Sequence, residues 1–473
     1  MSSITNDQLK ATGTAQVIAI LESAPPAATG TRRGAGGVAL AAATESPQLV
    51  GLESYFVSQQ GQNHELASAG MSNVAALASA GVASVSRSRS VRSAPDVLTF
   101  PNLGVILGTV TREGLQGLRA DVRVKKVVGA PQFSLIKPVA TAAAKLTSKN
   151  TWGIESLQVP KLWAQGLSGK GITVGHLDTG ADGKHPALKN AFAAFAEFDS
   201  FGVQVTPAPK PHDTGEHGTH TAATIAGRPV NGRSIGVAPQ SMLASAIVIE
   251  FGNVVARILG GMDWAISQNV RILSMSLGLR GFVDDFLAIT QIIRSKNILP
   301  VFAVGNEGPA TSRSPGNYAQ CVSIGAHDQS RAIAPFSSSQ RFVRADDPLV
   351  PDIVAPGVDV ISAKPGGGFQ TMSGTSMATP HIAGLAALLF EASPNATAAD
   401  VERVLFSSAR LGSIARSRGN RGIPNALVAL AALTGTPLGG SSKGRKGKAG
   451  KKSSAGKATA TKKKAARKTA KKK

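Results

Sequence analysis

The chain has 473 residues, 42% of them apolar, and a mean hydropathy of +0.05, enough to bury a sizeable core in two or three domains. Its formal charge is +23, but fifteen Lys and Arg and no acid lie between Lys443 and Lys473, and taking 15 from 23 leaves +8 for everything before. A single cysteine, Cys321, excludes an intramolecular disulfide, and no apolar run reaches the ~20 residues of a membrane-spanning helix.

Met1–Asp7 carries no basic stretch leading into an apolar one, so no standard secretory signal is evident and a cytoplasmic location is expected. Residues 1–150 form a first region, with Gln16–Leu21 as a buried strand and loop signals at Pro25-Pro26 and Gly34–Gly37. Its better organised part, 96–131, reads as strands at Val97–Phe100 and Leu103–Val110, a short helix at Glu113–Arg119 and a strand at Val124–Val128. That pattern predicts a small α+β domain, followed by a linker from Pro138 to Asn150. Residues 151–435 alternate apolar strands (Ile172–Leu177, Leu243–Ile249, Val270–Leu277, Leu299–Val304, Cys321–Gly325) with helices such as Val254–Ser267 and Phe286–Lys296. Near-continuous apolar strands joined by helical crossovers predict an α/β fold with a mostly parallel sheet covered on both faces. Thr397 reads as the N-cap of a helix over Ala398–Ala409. Residues 439–473, rich in Lys, Ala, Gly, Ser and Thr, hold too little apolar surface to offset chain entropy and are expected to be disordered.

Three polar positions stand out against this background. Asp178 ends an apolar run in Asp178-Thr179-Gly180, His217 opens His217-Gly218-Thr219-His220, and Ser376 lies in Gly374-Thr375-Ser376-Met377-Ala378-Thr379-Pro380-His381. A serine becomes a nucleophile when a base takes its proton and a third group orients the base. Each piece alone has a plainer explanation: a turn, a helix start or pair of metal ligands, and a capping serine. The His spacing does not match the helical metal pattern, so no metal site is expected. Together, in the order Asp, His, Ser, they fit a catalytic triad.

With these segments the stretch from Trp152 to Leu433 resembles the catalytic domain of the subtilisin-like (subtilase) serine proteases. Further matches are Ser274-Met275-Ser276-Leu277-Gly278, Ala303–Gly308, Phe336-Ser337-Ser338 and Pro351–Gly357. The resemblance implies a cofactor-free endopeptidase acting on polypeptides, with Ser376 as nucleophile, His217 as base and Asp178 as its orienting partner. It also implies an oxyanion hole from the Asn306 side chain and the Ser376 N–H. An extended substrate would lie between Ser274–Gly278 and a strand near Phe251–Asn253, with the primary pocket between Ser276, Leu277, Gly278 and Gly305–Glu307. Arg313 aligns near the pocket floor, where it would favour an acidic residue before the cut bond; Glu307 at the rim opposes this, and an Arg313 pointing to solvent is equally compatible. Many members carry a calcium-binding Asp where this chain has Ala187, and the loop Gly227–Ser234 has arginines, so that site is expected to be missing.

Leu103–Pro131 resembles the propeptide domain that precedes many subtilase domains, which implies self-cleavage within 138–150. The tail Lys443–Lys473 resembles the Lys/Ala-rich tails of histone-like proteins and is expected to hold nucleic acid or another polyanion through phosphate neutralisation. The rival reading is a catalytically silent subtilase fold tethered to nucleic acid by that tail.

Overall fold

Short apolar runs become the strands of one buried sheet in the computed structural model, which describes residues 3–22, 51–57, 96–249, 251–344 and 347–436. The expected disordered tail lies outside the described residues.

At the N-terminal end, β1 (Ala15–Leu21) is the centre of a four-stranded antiparallel sheet with β2 (Val97–Phe100), β3 (Val105–Val110) and β4 (Val124–Gly129), in the order β2-β3-β1-β4. Helices α1 (Ser3–Thr12) and α2 (Arg112–Ala120) accompany it. Side chains alternate across a strand, and here both faces are used. Val17, Ala19 and Leu21 pack with Leu115 and Leu118 of α2, while Ile18 and Ile20 face the larger domain. That double burial explains why the strand reads as continuously apolar. The chain continues through β5 (Ser134–Leu135) and β6 (Ala140–Ala144), so the segment expected as a linker contains a strand.

The larger domain is built on seven parallel strands: β7 (Thr173–Asp178), β8 (Phe192–Glu197), β9 (Met242–Ile247), β10 (Ile272–Met275), β12 (Leu299–Ala303), β14 (Val322–His327) and β15 (Ile353–Pro356). Between them in sequence fall short strands outside this sheet, among them β11 (Leu277–Arg280) and β13 (Arg313–Ser314). Sheet order is β15-β14-β12-β10-β7-β9-β8, parallel at every pairing. A hairpin of β16 (Val360–Ala363) and β17 (Phe369–Ser373) takes β6 as its third strand.

Helices cover both faces, as parallel sheets require. On one side lie α3 (His217–Ala226), α6 (Thr375–Ala392), α7 (Ala398–Ser408) and α8 (Ala426–Thr434). On the other lie α4 (Val254–Ser267) and α5 (Leu287–Ser295), whose outer surface receives the N-terminal sheet through Phe100, Leu103 and Val105. Thr397 caps α7 as expected, in a reciprocal box with Asp400.

Candidate active site

The three polar positions stand at element ends on one edge of the sheet, where open α/β folds gather their functional groups. Asp178 is the last residue of β7, His217 the first of α3, and Ser376 the second of α6. His217 Nδ1 lies 2.7 and 3.0 Å from the two Asp178 carboxylate oxygens. Asp178 also accepts from the Thr179 N–H at 2.7 Å and the Thr221 hydroxyl at 3.2 Å. Burial works to raise its pKa, but the neighbouring His217 and its hydrogen bond outweigh that and hold the carboxyl below its ordinary value. His217 Nε2 is buried with no partner among the described residues.

Asp213 assembles this corner, and the sequence reading missed it. Its carboxylate accepts from the Thr179 hydroxyl at 2.7 Å and from the Thr219 N–H and hydroxyl, both at 2.6 Å, joining the turn after Asp178 to the first turn of α3. The two meet so closely that a Cβ on Gly218 would stand 2.0 Å from the Gly180 carbonyl oxygen. Asp213 lies in an irregular loop, where no periodicity marks it.

A segment of the chain itself runs through the site. Ser134 and Leu135 of β5 pair antiparallel with Gly278 and Leu277, and the Ile136 N–H donates to the Ser276 carbonyl at 3.0 Å. The Ser376 hydroxyl donates to the Ile136 carbonyl at 2.7 Å, and the Asn306 side-chain amide donates to the Lys137 carbonyl at 2.9 Å. Asn306 is oriented by its own carbonyl oxygen, which accepts from the Thr375 N–H and hydroxyl, both at 2.9 Å. Beyond the site the Val139 N–H donates to the Ser373 carbonyl at 2.8 Å, and β6 pairs with β17 from Ala140 to Ala144. Ser376 is therefore buried under a peptide, not inside the sheet.

The expected substrate-contacting residues divide. Ser276, Leu277 and Gly278 meet this segment, whereas Ser274 lies in β10 between β7 and β12 and makes no bond to it among the described residues. Among the described residues no second flanking strand forms near Phe251–Asn253. Phe251–Asn253 has no strand character, because Gly252 (φ +74°) turns the chain and the Asn253 side chain caps α4. Arg313 does not point to solvent. Its Nε and Nη2 donate to one Glu307 oxygen at 2.8 and 2.5 Å, and its Nη1 donates to the Ser134 hydroxyl at 2.8 Å. Gly305, at φ +119°, borders this pair: a Cβ there would lie 2.7 Å from a Glu307 oxygen and 3.1 Å from the Arg313 Cγ.

A second His–Asp–Ser grouping shares Asp178. His176 Nδ1 is 2.9 Å from the Ser245 hydroxyl, its Nε2 is 2.9 Å from the Thr221 hydroxyl, and it lies 3.8 Å from Asp178. These residues carry the types of a triad, but both imidazole nitrogens are already bonded, and Ser245 is fully enclosed in β9 between β7 and β8. Burial pulls the His176 pKa down, keeping the ring neutral. The grouping braces Asp178 through Thr221.

Where calcium ligands were expected to be missing, a guanidinium is present. Arg228 donates to the carbonyls of Ala226 at 2.7 Å, Ser241 at 2.9 Å and Asn190 at 3.0 Å, while its own N–H donates to the Ala187 carbonyl at 2.7 Å. Cys321 is buried, and desolvation pushes its thiol well above the ordinary range, away from the reactive thiolate.

The fold and this site define a subtilisin-like protein. The model described as "Subtilase family" matches residues 169–445, and the chain belongs to that family, as a serine-type endopeptidase. Among its relatives is the major intracellular serine protease of Bacillus subtilis (strain 168), 34% identical over 247 residues, covering 50% of this chain and 74% of that one. An intracellular serine protease of Paenibacillus polymyxa is 37% identical over 250 residues, covering 50% of this chain and 72% of the relative. Subtilisin of Bacillus pumilus is 34% identical over 270 residues, covering 55% and 92%.

Proposed function

We propose that the chain cleaves polypeptides, its own N-terminal segment first, through an acyl-enzyme on Ser376. In this reading Ser376 attacks a peptide carbonyl and His217 takes its proton, later giving it to the departing amine. Asp178 keeps the imidazole in the required tautomer and stabilises its cation. Asn306 and the Ser376 N–H hold the developing oxyanion. Ser276, Leu277 and Gly278 line the incoming strand, and Gly305 bounds the pocket beside them.

One observation carries the proposal: the Ser376 hydroxyl, 2.7 Å from the Ile136 carbonyl, meets a peptide already paired with the 276–278 strand. A silent binding protein would have no need of the buried carboxylate–imidazole pair of Asp178 and His217. The cut then falls at Ile136–Lys137, before the 138–150 segment inferred from the sequence. Lys137–Pro138 is the poorer bond, since its leaving nitrogen is the hindered proline ring. The oxyanion donor holds the Lys137 carbonyl, one residue beyond the one at the serine, so the segment must shift before attack. Slow self-processing follows.

The intact mass of the wild type beside Ser376→Ala tests this. The expected result is loss of residues 1–136 from the wild type alone. Loss from both proteins, or wild-type cleavage elsewhere only, would reject the assignment. A cytoplasmic site of action accords with the names of the intracellular relatives. The fifteen basic residues of 443–473 would add salt-sensitive binding to nucleic acid, and unchanged retention on a DNA column after their removal would sink that idea.

A further inference from the structure

We infer that Arg313 selects substrates by the side chain two residues before the one whose carbonyl meets Ser376, favouring Ser, Thr or Asp there and disfavouring Lys or Arg. The inference rests on the endopeptidase reading above and names the substrate class that its groove accepts. In the segment lying through the site that position is Ser134, whose hydroxyl takes a hydrogen bond from Arg313 Nη1 at 2.8 Å.

Three features make this contact selective. First, Arg313 is fixed. Two of its nitrogens are committed to one Glu307 oxygen, and the other Glu307 oxygen accepts from the Asn306 N–H at 3.1 Å. The side chain lies between Gly305 and Gly278, where added Cβ atoms would meet Arg313 Cγ and Cβ, both at 3.1 Å. A guanidinium so clamped has little freedom left to lose on binding.

Second, the nitrogen facing the substrate has no carboxylate of its own. Nη1 bonds only Ser134 and, at 3.3 Å, the Gly278 carbonyl among the described residues. Third, the charges do not cancel. Arg280 also approaches Glu307, at 3.8 Å, so two guanidiniums face one carboxylate and one positive charge is left over. An acidic substrate side chain would neutralise it, and a basic one would meet repulsion. The contact is thus with a residue upstream of the cut, whereas the sequence left open an acidic preference next to the cut, opposition from Glu307, and an Arg313 turned to solvent.

The test is cleavage-site sequencing by mass spectrometry of a mixed peptide library digested with the full-length protein. With the cut following the residue at the place of Ile136, Ser, Thr and Asp should outnumber Lys and Arg about tenfold or more at the third residue before the cut, as expected for a hydrogen bond to a charged group. An even distribution there, or a basic preference, overturns the inference while leaving the endopeptidase reading intact. No cutting at all, with a serine-directed probe failing to label Ser376, overturns both. In the double variant Arg313→Gln/Glu307→Gln, which removes the clamped guanidinium together with its carboxylate and leaves only the exposed Arg280, the preference should fall below about twofold. Retention of the full preference would again reject the role of Arg313. The wild-type library decides the matter even where that variant fails to fold.

Discussion

At the residue scale, Ser245, hydrogen-bonded to His176, and Ser376, hydrogen-bonded to the peptide at Ile136, lead to opposite expectations. Ser245→Ala leaves the buried His176 Nδ1 without its 2.9 Å partner. An unsatisfied buried polar group costs about 1–3 kcal/mol, so the melting temperature should fall while kcat changes by less than about threefold. Ser376→Ala should keep the melting temperature and abolish cleavage. Measuring both variants for both properties separates bracing from chemistry, and a Ser245→Ala protein that is folded but inactive would reverse the assignment. Asn306→Leu keeps bulk but removes the donor now on the Lys137 carbonyl. The same donor's loss in subtilisin costs about 10²–10³ in kcat, and a comparable drop is expected here with KM little changed. An unaltered kcat would take Asn306 out of the oxyanion hole. Asp178, His217, Ser376 and Asn306 were legible in the sequence because each sits in a short motif at or just beyond an element end. Asp213 and Thr221 were not, since their importance comes from what folding brings beside them.

At the element scale, legibility followed burial. The runs at β7, β9, β10, β12 and β14 are apolar because both faces of the sheet are covered, so they read as strands from sequence. β8, Phe-Ala-Ala-Phe-Ala-Glu, did not: it is an edge strand, only partly buried, whose Ala and Glu content speaks against a strand until pairing with β9 overrides it. Two elements carry their own predictions. The loop after α3 is held by Arg228 on carbonyls of three segments, so Arg228→Met should cost about 1.5–3 kcal/mol in a denaturant titration, whereas EDTA should leave the curve unmoved. At the start of β15, Asp352 is buried and accepts from the Ser323 N–H at 2.8 Å, and desolvation pushes its pKa up to about 7. A carboxyl whose folded pKa lies above its unfolded value binds more protons when folded. Stability from this group is therefore greatest in acid and is lost as pH rises from about 4 to about 7. Asp352→Asn should flatten that part of the stability–pH curve, and an unchanged slope would show that Asp352 is charged throughout.

At the scale of the whole molecule, the N-terminal sheet acts on the site by holding the segment that follows it. Its anchorage is partly apolar, through Ile18, Ile20, Phe100 and Leu103 on the α4–α5 surface, and partly polar. Asp263 of α4 accepts from the Leu103 N–H at 2.9 Å and from the Asn102 side chain at 3.0 Å. The pairings of β5 with β11 and β6 with β17 then fix the strand on either side of Ser376. None of those contacts is broken by cutting Ile136–Lys137, because the fragment keeps its own sheet, its apolar face and β5. Cleavage should therefore leave residues 1–136 bound, and the cut protein should still elute as a single species in size-exclusion chromatography, with low activity on added peptides. Asp263→Ala removes the carboxylate acceptor of the Leu103 N–H and the Asn102 side chain, both part-buried, and should weaken docking by about 1–3 kcal/mol, a roughly tenfold rise in free fragment and in activity. The two readouts must move together if docking is what restrains the enzyme. Fragment lost without a gain in cleavage would mean that the strand through the site is not the restraint.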